Sequence, residues 1–146
     1  MTKVGEHVTL DIIGTEKEYE PKFFEKLLYK ISKKAKVTVL EISKYKFEPQ
    51  GFTLVALLAE SHISFHTFPE RGIISFDFFT CGKVNPNVAY DILKKEIKHK
   101  RIVKKEFNRD TRALYHDIYS SPGLQKAYVV NDVCLLYTSP SPRDRG

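Results

Sequence analysis

From Glu60 to Glu70 the chain reads ESHISFHTFPE, and a thiol follows at Cys81 in the segment FFTCG. Two serines, two histidines, two glutamates and a thiol thus fall within one short stretch. Imidazole exchanges protons near neutral pH, and serine or cysteine becomes a nucleophile once a base takes its proton, so these residues could run acid–base or covalent chemistry. The bland alternative is a strand with polar residues on its solvent side. A strand needs far fewer reactive groups than this segment carries.

Two chemistries fit the segment poorly. His62 and His66 are four apart, a spacing that converges on a helix. In a strand it leaves the two rings about 13 Å from each other, too far to share one ion, so no metal site is expected. A hydrolase using Cys81 or Ser61 with a histidine base is a second possibility. However, the sequence has no Gly-x-Ser-x-Gly turn or other nucleophile elbow.

The reactive segment lies among strands. Val8 to Ile13 is a short apolar run closed by Gly14 and Thr15, which reads as a first strand. Pro21 opens a helix in which Phe23, Phe24, Leu27, Leu28 and Ile31 recur at helical spacing, and Lys33 to Lys36 close it. Val37 to Phe47 is rich in β-branched and aromatic residues; Pro49, Gln50 and Gly51 turn the chain into Thr53 to Ala59. Ile63 to Phe68 stops at Pro69 and Gly72, and Ile73 to Phe79 exits at Cys81 and Gly82. Four strands in series predict an antiparallel meander. Asn85 and Pro86 signal a second helix with its stripe at Val88, Ala89, Ile92, Leu93 and Ile97, and Arg101 to Phe107 reads as a last strand.

This order predicts an α+β fold: a two-layer α/β sandwich with a mostly antiparallel sheet and two helices on one face. Leu54 to Leu58 is apolar on both sides of its strand. The second sheet face is therefore expected to pack against another copy of the chain, giving an αββα homodimer.

Composition agrees with one soluble domain. The 146 residues are 42% hydrophobic, no run is long enough to span a membrane, and Met1 to Leu10 lacks the apolar core of a signal peptide, so a cytoplasmic protein is expected. Two cysteines make no disulfide framework. The net charge of +6 raises nucleic-acid binding. The lysines, however, fall mostly on the predicted helices, as in Lys22, Lys26, Lys30, Lys33 and Lys34, where a solvated face accounts for them, so neither nucleic acid nor membrane is expected as a partner. Residues 1–133 are read as the domain. Cys134 to Gly146, CLLYTSPSPRDRG, breaks the pattern, resembles a translated sequencing-library adapter, and is expected to be a disordered non-native tail.

The run AESHISFHTFPE followed by ISFDFFTCG resembles the processing and active-site block of S-adenosylmethionine decarboxylase proenzymes of the short bacterial and archaeal type. The likeness takes in Gly5 and His7, then Phe47, Pro49 and Gly51, and continues into the helix after Cys81. It covers roughly Gly5 to Phe107. The resemblance implies a chain that cuts itself between Glu60 and Ser61, leaving residues 1–60 and a second chain from residue 61. Ser61 attacks the Glu60 carbonyl, and elimination then converts it to a pyruvoyl group, pyruvate held covalently as the cofactor. The ketone forms a Schiff base with the substrate amine and takes up the electrons released with carbon dioxide.

By the same resemblance, His66 moves protons during processing, Cys81 protonates the substrate's α-carbon, Glu70 recognises ribose and Phe47 stacks on adenine. The implied product is S-adenosylmethioninamine, the aminopropyl donor for spermidine. Two residues depart from the family pattern. Phe68 replaces the usual tryptophan in a wall of the substrate site, and Thr53 replaces a serine while keeping a hydroxyl that can assist processing. Ser61 and His66, if extended, are about 16 Å apart and on opposite faces. The family's homodimer with shared sites meets that difficulty by placing Ser61 and Cys81 of one protomer against Phe47, Thr53, His66 and Glu70 of the other. Two other readings remain at this stage: the same pyruvoyl chemistry on arginine or ornithine, and a non-processing homologue that binds or regulates an active subunit.

Overall fold

Val8, Leu10 and Ile12 alternate with more polar residues, a period that puts all three on one face of an extended chain. They lie in β1 (Lys3–Ile13), and all three are buried. The structure is a computed structural model that describes residues 3–59, 61–81 and 83–110. Helix α1 (Pro21–Ala35) covers that face of the sheet. Pro21 stands in its first turn, where a missing N–H costs nothing, and Phe24, Leu27, Leu28, Ile31 and Ala35 are buried. Lys33 and Lys34 occupy its last turn, where their charge offsets the negative end of the helix dipole.

Four strands then run as the expected meander: β2 (Val39–Lys46), β3 (Phe52–Leu58), β4 (Ser61–Phe68) and β5 (Ile73–Thr80), with a 3-10 turn at Pro69–Arg71. Strand β2 begins later than the predicted Val37. The Val37 N–H donates to the Ser32 carbonyl at 2.9 Å and so belongs to the end of the helix. Helix α2 (Val88–Glu96) also starts later than its signal, because Asn85 Oδ1 accepts the Asn87 N–H at 3.0 Å in a turn before the helix. Ala89, Leu93 and Ile97 bury its apolar stripe. Strand β6 (Arg101–Asp110) completes the sheet, whose order is β2-β3-β4-β5-β1-β6 with every neighbouring pair antiparallel.

The core is aromatic at its centre. The Phe24 ring lies 5.0 Å from Phe52 and 5.1 Å from Phe65, and Phe65 lies 5.0 Å from Phe76, in the inclined geometries that aromatic pairs favour. These contacts fix α1 over β3, β4 and β5. Between the helices, Lys30 pairs with Glu96, and this hydrogen bond and charge hold the Glu96 carboxyl below its usual range.

On the opposite face β3 shows Val55 and Leu57, 39% and 51% exposed, while Leu54, Ala56 and Leu58 are buried under the helices. The strand is apolar on both sides, as its sequence indicates. The same open face carries Thr53, His62 and His66 on β3 and β4, and His7 and Phe79 on β1 and β5, as the register and the alternation of burial require.

Candidate active site

Ser61 is the first residue of β4 and pairs with Thr80, the last of β5. Cys81 follows directly, so one end of the sheet brings the hydroxyl and the thiol onto adjacent strands. Ser61 is half-buried and Cys81 is exposed. Gly5 explains how β1 passes so close to them. A Cβ on Gly5 would stand 2.0 Å from the Thr80 carbonyl oxygen, closer than any side chain allows. Glu60, the expected partner in the cleaved bond, lies outside the described residues, as do residues 134–146 of the expected tail.

The other end of the same strands forms a cleft of about 360 Å³, whose lining includes Phe47, Gln50, Thr53, His66, Phe68 and Glu70. Thr53 and His66 face each other across β3 and β4, and Thr53 Oγ1 shares a hydrogen bond of 2.9 Å with His66 Nδ1. That contact leaves Nε2 as the ring nitrogen available to the cleft. The turn before β3 is closed by the Phe47 N–H donating to the Gly51 carbonyl at 2.8 Å. Gly51 has φ +90°, and a Cβ there would meet the Thr67 carbonyl oxygen at 3.0 Å, so this tight approach requires glycine. The Phe52 N–H donates to Thr67 Oγ1 at 3.0 Å, tying the turn to β4. Glu70 enters from the 3-10 turn with its side chain exposed.

The predicted site residues therefore fall into two groups. Ser61 and Cys81 stand at one end of β4 and β5; Phe47, Thr53, His66, Phe68 and Glu70 stand at the other. His66 lies five positions beyond Ser61 in β4, about 16 Å of extended chain. Alternation puts Ser61 on the face of the buried Ile63 and Phe65, and His66 on the open face.

A further cluster was not foreseen. Asp77 on β5 holds the His7 imidazole Nε2, and its other oxygen lies 3.6 Å from His62 Nε2. Nearby, Ser75 Oγ donates to Asp11 Oδ1 at 2.9 Å. His62 thus turns to Asp77 and His66 to Thr53, so the two histidines of the reactive segment do different work. Asp77 escaped the sequence reading because one acidic residue in the apolar run ISFDFF carries no spacing signal. Gln50 escaped because Pro-Gln-Gly reads first as a turn.

A sequence model described as S-adenosylmethionine decarboxylase matches residues 6–110. The chain belongs to the S-adenosylmethionine decarboxylase family. Among its relatives, the S-adenosylmethionine decarboxylase proenzyme of Prochlorococcus marinus (strain MIT 9313) is 39% identical over 113 residues, covering 75% of this chain and 90% of that protein. The proenzyme of the same name from Methanococcus vannielii is 44% identical over 85 residues, covering 57% and 70%. The crystal structure of the adenosylmethionine decarboxylase from Aquifex aeolicus superposes with a TM-score of 0.67 at 34% identity, covering 75% of this chain and 93% of that one. Its likeness bears out the sandwich of one antiparallel sheet and two helices.

Proposed function

We propose that the chain is a proenzyme that cleaves itself between Glu60 and Ser61 and then decarboxylates S-adenosylmethionine, releasing carbon dioxide and S-adenosylmethioninamine for spermidine synthesis. The observation that carries this reading is the placement of Ser61 beside the Cys81 position, with a hydroxyl-held histidine in an aromatic cleft at the other end of the same strand. The relatives described above are named for S-adenosylmethionine, which favours it over arginine or ornithine. No helix among the described residues is long and apolar enough to cross a membrane, and we place the reaction in the cytoplasm.

In self-cleavage the Ser61 hydroxyl adds to the Glu60 carbonyl carbon and the C–N bond breaks, leaving an ester and a new amine on residue 61. Loss of the Ser61 α-proton then breaks the Cβ–O bond and frees the Glu60 carboxylate. The resulting enamine tautomerises and takes up water, and ammonia leaves. His66 moves the protons. With Nδ1 turned to Thr53, Nε2 accepts a proton when Nδ1 carries the hydrogen and donates one when it does not.

A pyruvoyl group fits the position, because it keeps the three carbons of Ser61 and needs no space the serine does not already fill. Once formed it supplies the electron sink for loss of the substrate carboxylate. Cys81, next to it, delivers a proton to the substrate's α-carbon. Phe47 stacks on the adenine face, Phe68 forms the neighbouring wall, and the Glu70 carboxylate accepts hydrogen bonds from the ribose hydroxyls.

Each site draws on two protomers. Ser61 and Cys81 of one chain meet the partner's Phe47, Thr53, His66 and Glu70, because about 16 Å and a change of face separate Ser61 from its own His66.

Mass spectrometry of the purified protein and carbon dioxide release from carboxyl-labelled substrates test the proposal together. Two fragments and release from S-adenosylmethionine are expected, with Ser61→Ala left whole. An uncleaved wild-type chain, or release from arginine or ornithine alone, overturns it.

A further inference from the structure

We infer that Gln50 reads the edge of the adenine ring and sets base specificity in the cleft. The inference rests on the proposed stacking of adenine on Phe47. Gln50 is half-buried and lines the same cleft as Phe47, three residues earlier in one turn. That turn is held at both ends, by the Phe47 N–H on the Gly51 carbonyl and by the close approach of Gly51 to Thr67. An amide carried on it is therefore fixed relative to the Phe47 ring.

The cleft's other polar side chains have different tasks. Thr53 Oγ1 is engaged with His66, and Thr67 Oγ1 accepts the Phe52 N–H. Glu70, as a carboxylate, only accepts hydrogen bonds and so suits ribose hydroxyls. Adenine needs something else at its edge. It presents the 6-amino donor beside a ring-nitrogen acceptor, and an amide alone among these groups offers the matching acceptor and donor from one plane. No bond within the described chain takes up the Gln50 amide. Phe47 thus recognises the face of the base, which any purine shares, and Gln50 recognises the edge, which distinguishes one purine from another.

The test is a coupling measurement with two substrates, S-adenosylmethionine and its analogue bearing hydrogen in place of the 6-amino group. In Gln50→Ala, KM for S-adenosylmethionine rises about tenfold or more, while kcat and self-cleavage stay as in wild type. The analogue already binds weakly to wild type, and Gln50→Ala worsens it far less. Gln50→Glu, which accepts from the 6-amino group but cannot donate, falls between the two. Equal losses for both substrates, slowed self-cleavage, or an unchanged KM overturn the inference. A wild-type enzyme inactive on S-adenosylmethionine, or a Phe47→Ala variant with unchanged KM, marks failure of the underlying stacking reading instead, and the inference goes with it.

Discussion

Mixing two dead variants offers a direct measure of whether the site is shared. In β4, Ser61 pairs with Thr80 and His66 with Ser75, which leaves the two about 16 Å apart along the strand and on opposite faces. Proton transfer needs heavy atoms within about 3 Å, so no rotamer change closes this gap within one chain. Ser61→Ala alone and His66→Ala alone should both remain uncleaved. Co-expressed in equal amounts with different tags, they form mixed dimers as about half of the population, and each mixed dimer holds one complete site. About half of the His66→Ala chains should then be cleaved, every Ser61→Ala chain should stay whole, and decarboxylation should reach about a quarter of the wild-type value. Tandem-tag purification followed by mass spectrometry reads the first two, and labelled carbon dioxide reads the third. If the purified mixed dimers stay uncleaved while circular dichroism shows both chains folded, the shared-site geometry is wrong. Cleavage of His66→Ala by itself removes the role assigned to that histidine.

Three further outcomes follow from single residues. Cys81→Ala should still cleave, yet decarboxylate about 10²–10⁴-fold more slowly in the labelled carbon dioxide assay, and undiminished turnover would assign the proton to another group. Gly5→Ala forces a Cβ against the Thr80 carbonyl, a backbone atom that cannot swing aside, and should cost about 1–3 kcal/mol in urea unfolding along with slower self-cleavage; a wild-type midpoint would show that β1 can yield there. Lys30→Met should raise the Glu96 pKa toward the ordinary carboxylate range in an NMR titration. Because pairing lowers that pKa in the folded state, its contribution is present above the ordinary carboxylate value and fades as pH falls through the folded one, and an unmoved titration would deny the pair any strength.

Much of this architecture can be read from periodicity. The stripes of α1 and α2 and the alternation of β3 to β5 reflect burial on one face, which the sequence records residue by residue. Pairing partners are recorded far less well. Nothing local tells β1 to sit between β5 and β6, because its Val8, Leu10 and Ile12 would suit any slot with one buried face; Gly5, which fits only against Thr80, gives the clearest local mark. The opposition of Ser61 and His66 was legible because parity along a strand is strict. The Thr53–His66 bond depends on cross-strand register, and the Asp77 cluster joins residues 70 positions apart in sequence, a distance no spacing rule spans.

The separation of Ser61 and His66 along one strand would also change the rate law of activation. If the site is shared as proposed, a freshly made chain would have no means of cutting itself until it met a copy, and at low abundance maturation would be second order in chain concentration. Dilution would then delay the appearance of activity more than it lowers the amount of protein, and the enzyme would switch on only where its own synthesis has passed the level needed for pairing.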